Sequence, residues 1–171
     1  FIEWSGSAVD AQKVADTAST TTSVTMDDDY RIQAHFAIDE HSLTTSSSPG
    51  GAIVTPGEGT NTYNYGTPVT LIATPQAGYR FVNWAGDVNT ISDVTIPIAT
   101  IITRGDYALQ ANFAISALVL TTSSTAGGVV TMPGEGSFSH DYNTHVSLTA
   151  TPAANYHFAA WTGSAVDSGN V

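Results

Sequence analysis

Three groups of side chains in this chain are of types that could do chemistry. Arg104-Gly105-Asp106 sets a guanidinium and a carboxylate either side of a glycine, the composition of an adhesive tripeptide shown at a turn. Asp27-Asp28-Asp29 gathers carboxylates of the kind that hold Ca²⁺. Tyr63, Tyr65 and Tyr142, with Asn61, Asn64 and Asn143 beside them, have the makings of a platform on which a sugar ring could stack. Each group also has a plainer explanation. Arg104–Asp106 and Asp27–Asp29 lie 77 residues apart at matching points of a repeat, so that turn tolerates either sequence. Glycine and aspartate suit turns on their own account. Three consecutive carboxylates in an extended turn point in different directions, which favours a solvated acidic tip over a metal site. Tyr63 becomes His140 in the next copy, so an aromatic ring is not held fixed there.

The remaining reactive residues do not assemble into a catalytic set. His140 and His145 flank one turn, but no third ligand follows at zinc-like spacing, and His35, His41 and His157 fall at unrelated points. Glu58 and Glu135 recur in Pro-Gly-Glu-Gly, and one carboxylate per copy makes no acid/base pair, so their recurrence argues for shape. Lys13 has no lysine counterpart in any other copy, which speaks against a covalent side-chain cross-link as a device of the repeat. Asp16 and Asp93 are equivalent and suit capping of a loop. The expectation is a chain that is not an enzyme, with no cofactor and no metal.

What positions these residues is a repeat. Residues 43–86 align without a gap on 120–163, at a constant offset of 77. Phe-x-x-Trp occurs at Phe1/Trp4, Phe81/Trp84 and Phe158/Trp161, and Tyr30–Ile38 matches Tyr107–Ile115. A fixed period of this length means one supersecondary unit used several times. Boundaries at the short polar joints Asp39-Glu40-His41 and Ser116-Ala117 give the second half of a repeat at 1–38, a whole repeat at 39–115 and the first part of another at 116–171. The joints are too short for free linkers, so neighbouring units should touch. The first unit carries three extra residues near Ala8–Ala15, expected as a loop or single helical turn. Gly-Ser-Ala-Val-Asp occurs in the first and third units but not the second, which points to alternation within a longer array.

Composition narrows the function classes. The 171 residues are 42% hydrophobic and only 11% charged, with four basic residues and a net charge of −11. Nucleic-acid binding needs clustered Lys and Arg, so it is excluded, and anionic membrane surfaces are disfavoured. There is no cysteine, hence no disulfide framework, and the apolar run Ala114–Leu120 is far too short to cross a bilayer. Thr and Val abundance suits half-buried strands.

Strands are expected at 42–47, 52–55, 67–74, 79–84, 96–103 and 107–115. Ser48–Gly51 and Arg104–Asp106 read as hairpin turns, and Thr74-Pro75 ends a strand because proline cannot donate to a ladder. Alternation puts Val69, Leu71 and Ala73 on one face. It sets Tyr79 and Phe81 opposite Arg80 and Trp84. A unit this small needs its large side chains together, so Trp84, Tyr79, Phe81, Leu71 and Phe113 are the expected core. Trp4, Phe158 and Trp161 are the corresponding residues of the flanking units. The fold class is all-β and mainly antiparallel, built of small β-sandwich or β-grasp-like modules of about 77–80 residues.

The succession LTTSSSPGGAIVTPGEG, YGTPVTLIATPQAGYRFVNWAGDV and YALQANFAI, with its third-unit counterpart LTTSSTAGGVVTMPGEG and VSLTATPAANYHFAAWTG, resembles the divergent internalin B-repeat family of bacterial surface proteins. Asn155 replaces Gly78 in the third unit. The resemblance implies a small β-rich module strung in tandem on large secreted or surface-anchored bacterial proteins, with no catalytic residues to carry over. The expected function is a spacer, stalk or fibre-forming rod outside the cell, whose partners are neighbouring repeats and, through edge strands, other chains. A carbohydrate- or receptor-binding adhesin module is the alternative, using Tyr63, Tyr65, Tyr142 or Arg104–Asp106. An appendage to a secreted hydrolase ranks third. A continuous chain is favoured over a filament of exchanged halves, because 1–14 and 158–171 would compete for one place.

Overall fold

A computed structural model describes residues 1–171. About 47% of them are strand and 5% helix, which fixes the class as all-β. The first unit contributes β1 (Glu3–Ser5), the single helical turn α1 (Ser7–Asp10) and β2 (Gln33–His35). The central unit runs through β3 (Glu40–Ser47), β4 (Gly51–Thr55), β5 (Gly59–Asn64), β6 (Thr67–Pro75), β7 (Tyr79–Gly86), β8 (Ile98–Thr103) and β9 (Tyr107–Ile115). The third supplies β10 (Ala117–Thr122), β11 (Gly128–Met132), β12 (Gly136–Asp141), β13 (Thr149–Pro152) and a second helical turn, α2 (Ser164–Asp167).

The central unit is a two-layer sandwich. One sheet has the order β5-β3-β9-β7 and the other β4-β6-β8. All pairings are antiparallel except β3 with β9, which run parallel from Leu43 opposite Tyr107 to Ser47 opposite Ala111. Alternation along β6 buries Val69, Leu71 and Ala73 as expected, and β8 answers with Ala99 and Ile101. The facing sheet contributes Leu43, Trp84, Leu109, Ala111 and Phe113 to the same apolar cluster. Burying one side chain of this size is worth about 1.5–3 kcal/mol, which is how a unit without cross-links holds together. The Thr103 hydroxyl is fully buried but lies 3.1 Å from the Asn64 and Thr67 carbonyls, so it is paired.

Four local expectations are corrected. The Ser48–Gly51 turn does not close a hairpin, because β3 pairs with β5 and β9 whereas β4 pairs with β6 in the other sheet. Arg104–Asp106 likewise carries the chain from β8 in one sheet to β9 in the other. Both are corners of the sandwich: turn residues reverse the chain without deciding which sheet the next strand joins. Glu40 and His41 lie inside β3 rather than in a joint, and Ser116 alone separates β9 from β10. Finally, Phe81 and Trp84 are not on opposite faces. The register of β7 against β9 shifts between Phe81 and Asn83, so Val82 is bulged out and the following residues change face. Trp84 therefore turns inward, 1% exposed, beside Phe81. Tyr79 is 37% exposed at the rim, its ring lying over Gly50.

The flanking units reproduce these halves. Trp4 pairs with Ala34 as Trp84 does with Ala111. The pairs β10–β12 and β11–β13 repeat β3–β5 and β4–β6, down to the register shift at Val130/Met132 that matches Ile53/Thr55. The accessible surface is 11072 Å². A single globule of 17.8 kDa would expose about 8,000 Å².

Candidate functional site

The Pro-Gly-Glu-Gly turns are staples. Glu58 Oε1 accepts the Ser47 hydroxyl at 2.5 Å and the Ile53 amide at 3.3 Å, while Thr45 Oγ1 donates to the Gly57 carbonyl at 2.6 Å. The third unit repeats all three contacts with Glu135, Ser124, Val130, Thr122 and Gly134. Both turns carry a cis X-Pro peptide, Thr55-Pro56 and Met132-Pro133. The Ser124 hydroxyl, then the Val130 amide, hold the Glu135 carboxyl below its ordinary range. Each carboxylate thus ties the end of one sheet to the start of the other, a structural use of a group that catalysis would need free.

At the Arg104-Gly105-Asp106 corner, Asp106 Oδ1 accepts the Ser42 amide at 2.7 Å and the Ser42 hydroxyl at 3.0 Å, with His41 Nδ1 at 3.7 Å. These contacts, the Ser42 amide foremost, lower the Asp106 pKa. The carboxylate is therefore engaged with β3. Of the Asp27–Asp29 group, Asp27 is bound to Lys13 Nζ at 2.5 Å and accepts the Tyr30 hydroxyl at 2.7 Å, while Asp28 accepts the Asp29 amide. The Lys13 contact first, then Tyr30, depresses Asp27, and the carboxylate pushes Tyr30 up to about 12. No three His, Asp or Glu side chains converge anywhere in the chain. Asp16 and Asp93 do cap their loops, Asp16 through the Ala18 and Ser19 amides and Asp93 through the Thr95 amide and hydroxyl.

The aromatic candidates have different surroundings. Tyr63 packs on the central core, and Tyr65 is 51% exposed with its ring against His41. Tyr142 lies across the glycine face of Gly78 in the preceding unit, leaving 45% of it exposed. The Phe-x-x-Trp pairs share one geometry in all three units. Their ring centroids are 5.4, 5.5 and 5.5 Å apart, at 54°, 58° and 57°. Phe113 stands edge-on to Phe81 as Phe36 does to Phe1. The indoles of Trp4 and Trp84 donate to the Ser19 and Ile96 carbonyls. In the third unit, Val130, Ala150, Phe158 and Trp161 line an open groove of about 210 Å³. His140 Nε2 is buried without a partner.

The central and third units meet through specific contacts at their joint. Ser116 N–H donates to the Gly78 carbonyl at 2.7 Å, and Tyr142 N–H donates to the Ser116 carbonyl at 2.8 Å. Sequence reasoning missed Gly78, Ser116, Ser42 and Ser47 as contact residues. For Ser47 the signal was there, since Ser124 recurs with Glu135 at the same offset as Ser47 with Glu58.

No helix is long and apolar enough to cross a membrane. Comparison with curated proteins and with solved structures returned no match. The family model described as "Divergent InlB B-repeat domain" matches residues 1–40, 41–117 and 118–171, a family associated with bacterial surface proteins. Three sandwich pieces built on one Phe-x-x-Trp geometry and covered end to end by this match make the chain a member of the divergent InlB B-repeat domain family.

Proposed function

We propose that this segment is a non-enzymatic spacer: a rod of β-sandwich units that holds another part of an extracellular or cell-surface bacterial protein at a distance. One observation carries the reading. β9 passes into β10 through Ser116 alone, and that residue is hydrogen-bonded on both sides, so the joint has no slack. The central unit brings its own core, it and the third unit carry corner staples, and the hydroxyl-rich outer faces keep the array hydrated. The carbohydrate- or receptor-binding alternative is less well supported, because Tyr63 and Tyr142 are engaged with protein and Asp106 is bonded to Ser42.

Small-angle scattering on the 171-residue chain tests the rod. A compact chain of that length has a radius of gyration of about 15–16 Å. Strands of eight or nine residues laid end to end, each residue rising about 3.3 Å, give a particle near 70 Å long and a radius above about 20 Å. A value near the compact figure overturns the proposal.

A further inference from the structure

We propose that Tyr142 and Gly78 form a plug and socket that fixes one unit on the next, and that Asn155 closes the corresponding socket of the third unit to the same plug. The inference rests on the rod reading and adds what sets the stiffness of each joint. Gly78 sits at φ +81 in the turn between β6 and β7, and a Cβ there would fall 2.1 Å from Tyr142 Cδ1, well inside contact distance of the ring. Its carbonyl also receives the Ser116 amide, so one residue provides both the flat face and the backbone acceptor of the joint.

The third unit has the same turn. Tyr156 lies on Gly127 as Tyr79 lies on Gly50, and Asn155 occupies the position of Gly78 at φ 67. Asparagine tolerates that backbone conformation, so the turn survives. Its side chain projects where the plug would seat. Tyr65 is the counterpart of Tyr142 in the central unit: its amide donates to the Asp39 carbonyl at 2.7 Å, as the Tyr142 amide does to the Ser116 carbonyl. The partner that fits Tyr65 is therefore a glycine-bearing turn of a like unit, and a turn carrying asparagine is refused. Rigid and loose joints are then written into the array by one residue per unit.

Amide hydrogen exchange by NMR on the full chain tests this. Gly78→Asn places the third unit's own residue in the socket without forbidding the turn, and Tyr142→Ala removes the plug. Each should speed exchange at the Ser116 amide by at least tenfold and leave the β6 amides of the central unit protected. Tyr65→Ala should leave Ser116 unchanged. Should Gly78→Asn unfold the central unit, the β6 amides will report it, and Tyr142→Ala then decides alone. Ser116 protection that persists in Tyr142→Ala, or in a folded Gly78→Asn, overturns the plug and socket. A compact particle in scattering would sink the rod reading and leave this exchange result as it stands.

Discussion

Replacing Trp84 should cost the central unit a large share of its stability. The indole is almost wholly buried between the two sheets and donates to the Ile96 carbonyl at 3.0 Å. Truncating such a residue to alanine typically costs about 3–5 kcal/mol through lost burial and the cavity left behind. The unit matched by the family spans residues 41–117, and at about 0.05–0.15 kcal/mol per residue its total stability is roughly 4–12 kcal/mol. Trp84→Ala should therefore remove between a quarter of that stability and all of it. Trp84→Phe keeps most of the bulk and deprives the Ile96 carbonyl of its donor, which should cost about 1–3 kcal/mol. Trp161→Ala, on the open groove beside the 47%-exposed Phe158, should cost less than half as much as Trp84→Ala. Urea unfolding followed by circular dichroism ranks the three. Equal losses at Trp84 and Trp161, or a Trp84→Ala midpoint indistinguishable from wild type, would refute the assignment of Trp84 as the centre of the sandwich.

Other consequences can be measured separately. Gly86 holds φ +95, and a Cβ added there would fall 2.2 Å from the Ala108 carbonyl oxygen, so Gly86→Ala should destabilise the unit by at least about 2 kcal/mol, read in the same urea titration. The folded-state pKa of Glu135 is depressed, so its contribution is present above the unfolded-state value of about 4.3 and lost as pH falls through the folded one. Protection of the Val130 amide should accordingly hold at neutral pH and decline in acid. In Glu135→Ala, which has no side-chain acceptor, it should be low throughout, and an acid-insensitive Val130 in the parent chain would contradict the staple. Tyr30 should ionise only near pH 12 because its hydroxyl donates to Asp27. In Asp27→Asn its ultraviolet titration should move back toward about 10.

The class of the fold and several of its strands were legible in the sequence. Tyr107–Ile115 forms β9 within the limits that its repeat with Tyr30–Ile38 suggested, and the alternation from Val69 to Ala73 marked the buried face of β6. Strand partners were not legible. Ser48–Gly51 and Arg104–Asp106 announce reversals, but neighbours in sequence went to different sheets, and β3 found β9 some 64 residues further on (Leu43 opposite Tyr107). That pairing is decided by how two faces fill one core, which no local pattern encodes. β5, with Thr, Asn and Tyr alternating, offers too little contrast between its faces to stand out. The bulge at Val82 did leave a trace: in a period-two strand, Phe and Trp three positions apart share a face only if one residue is extra. At the candidate sites, sequence identified which residues recur but not what they touch. Asp106 meets Ser42 and Tyr142 meets Gly78 across distances that only the folded chain brings together.

The parallel pairing of β3 with β9 has a mechanical corollary. The strand that opens the central unit and the strand that closes it lie side by side and point the same way. A tension pulling residue 40 one way and residue 115 the other slides these strands along each other rather than peeling them apart. The five residue pairs from Leu43–Tyr107 to Ser47–Ala111 are then loaded together, in shear, and must give way at once. Heat and denaturant probe the sandwich through its apolar filling, whereas a stretched array would be limited by this one ladder.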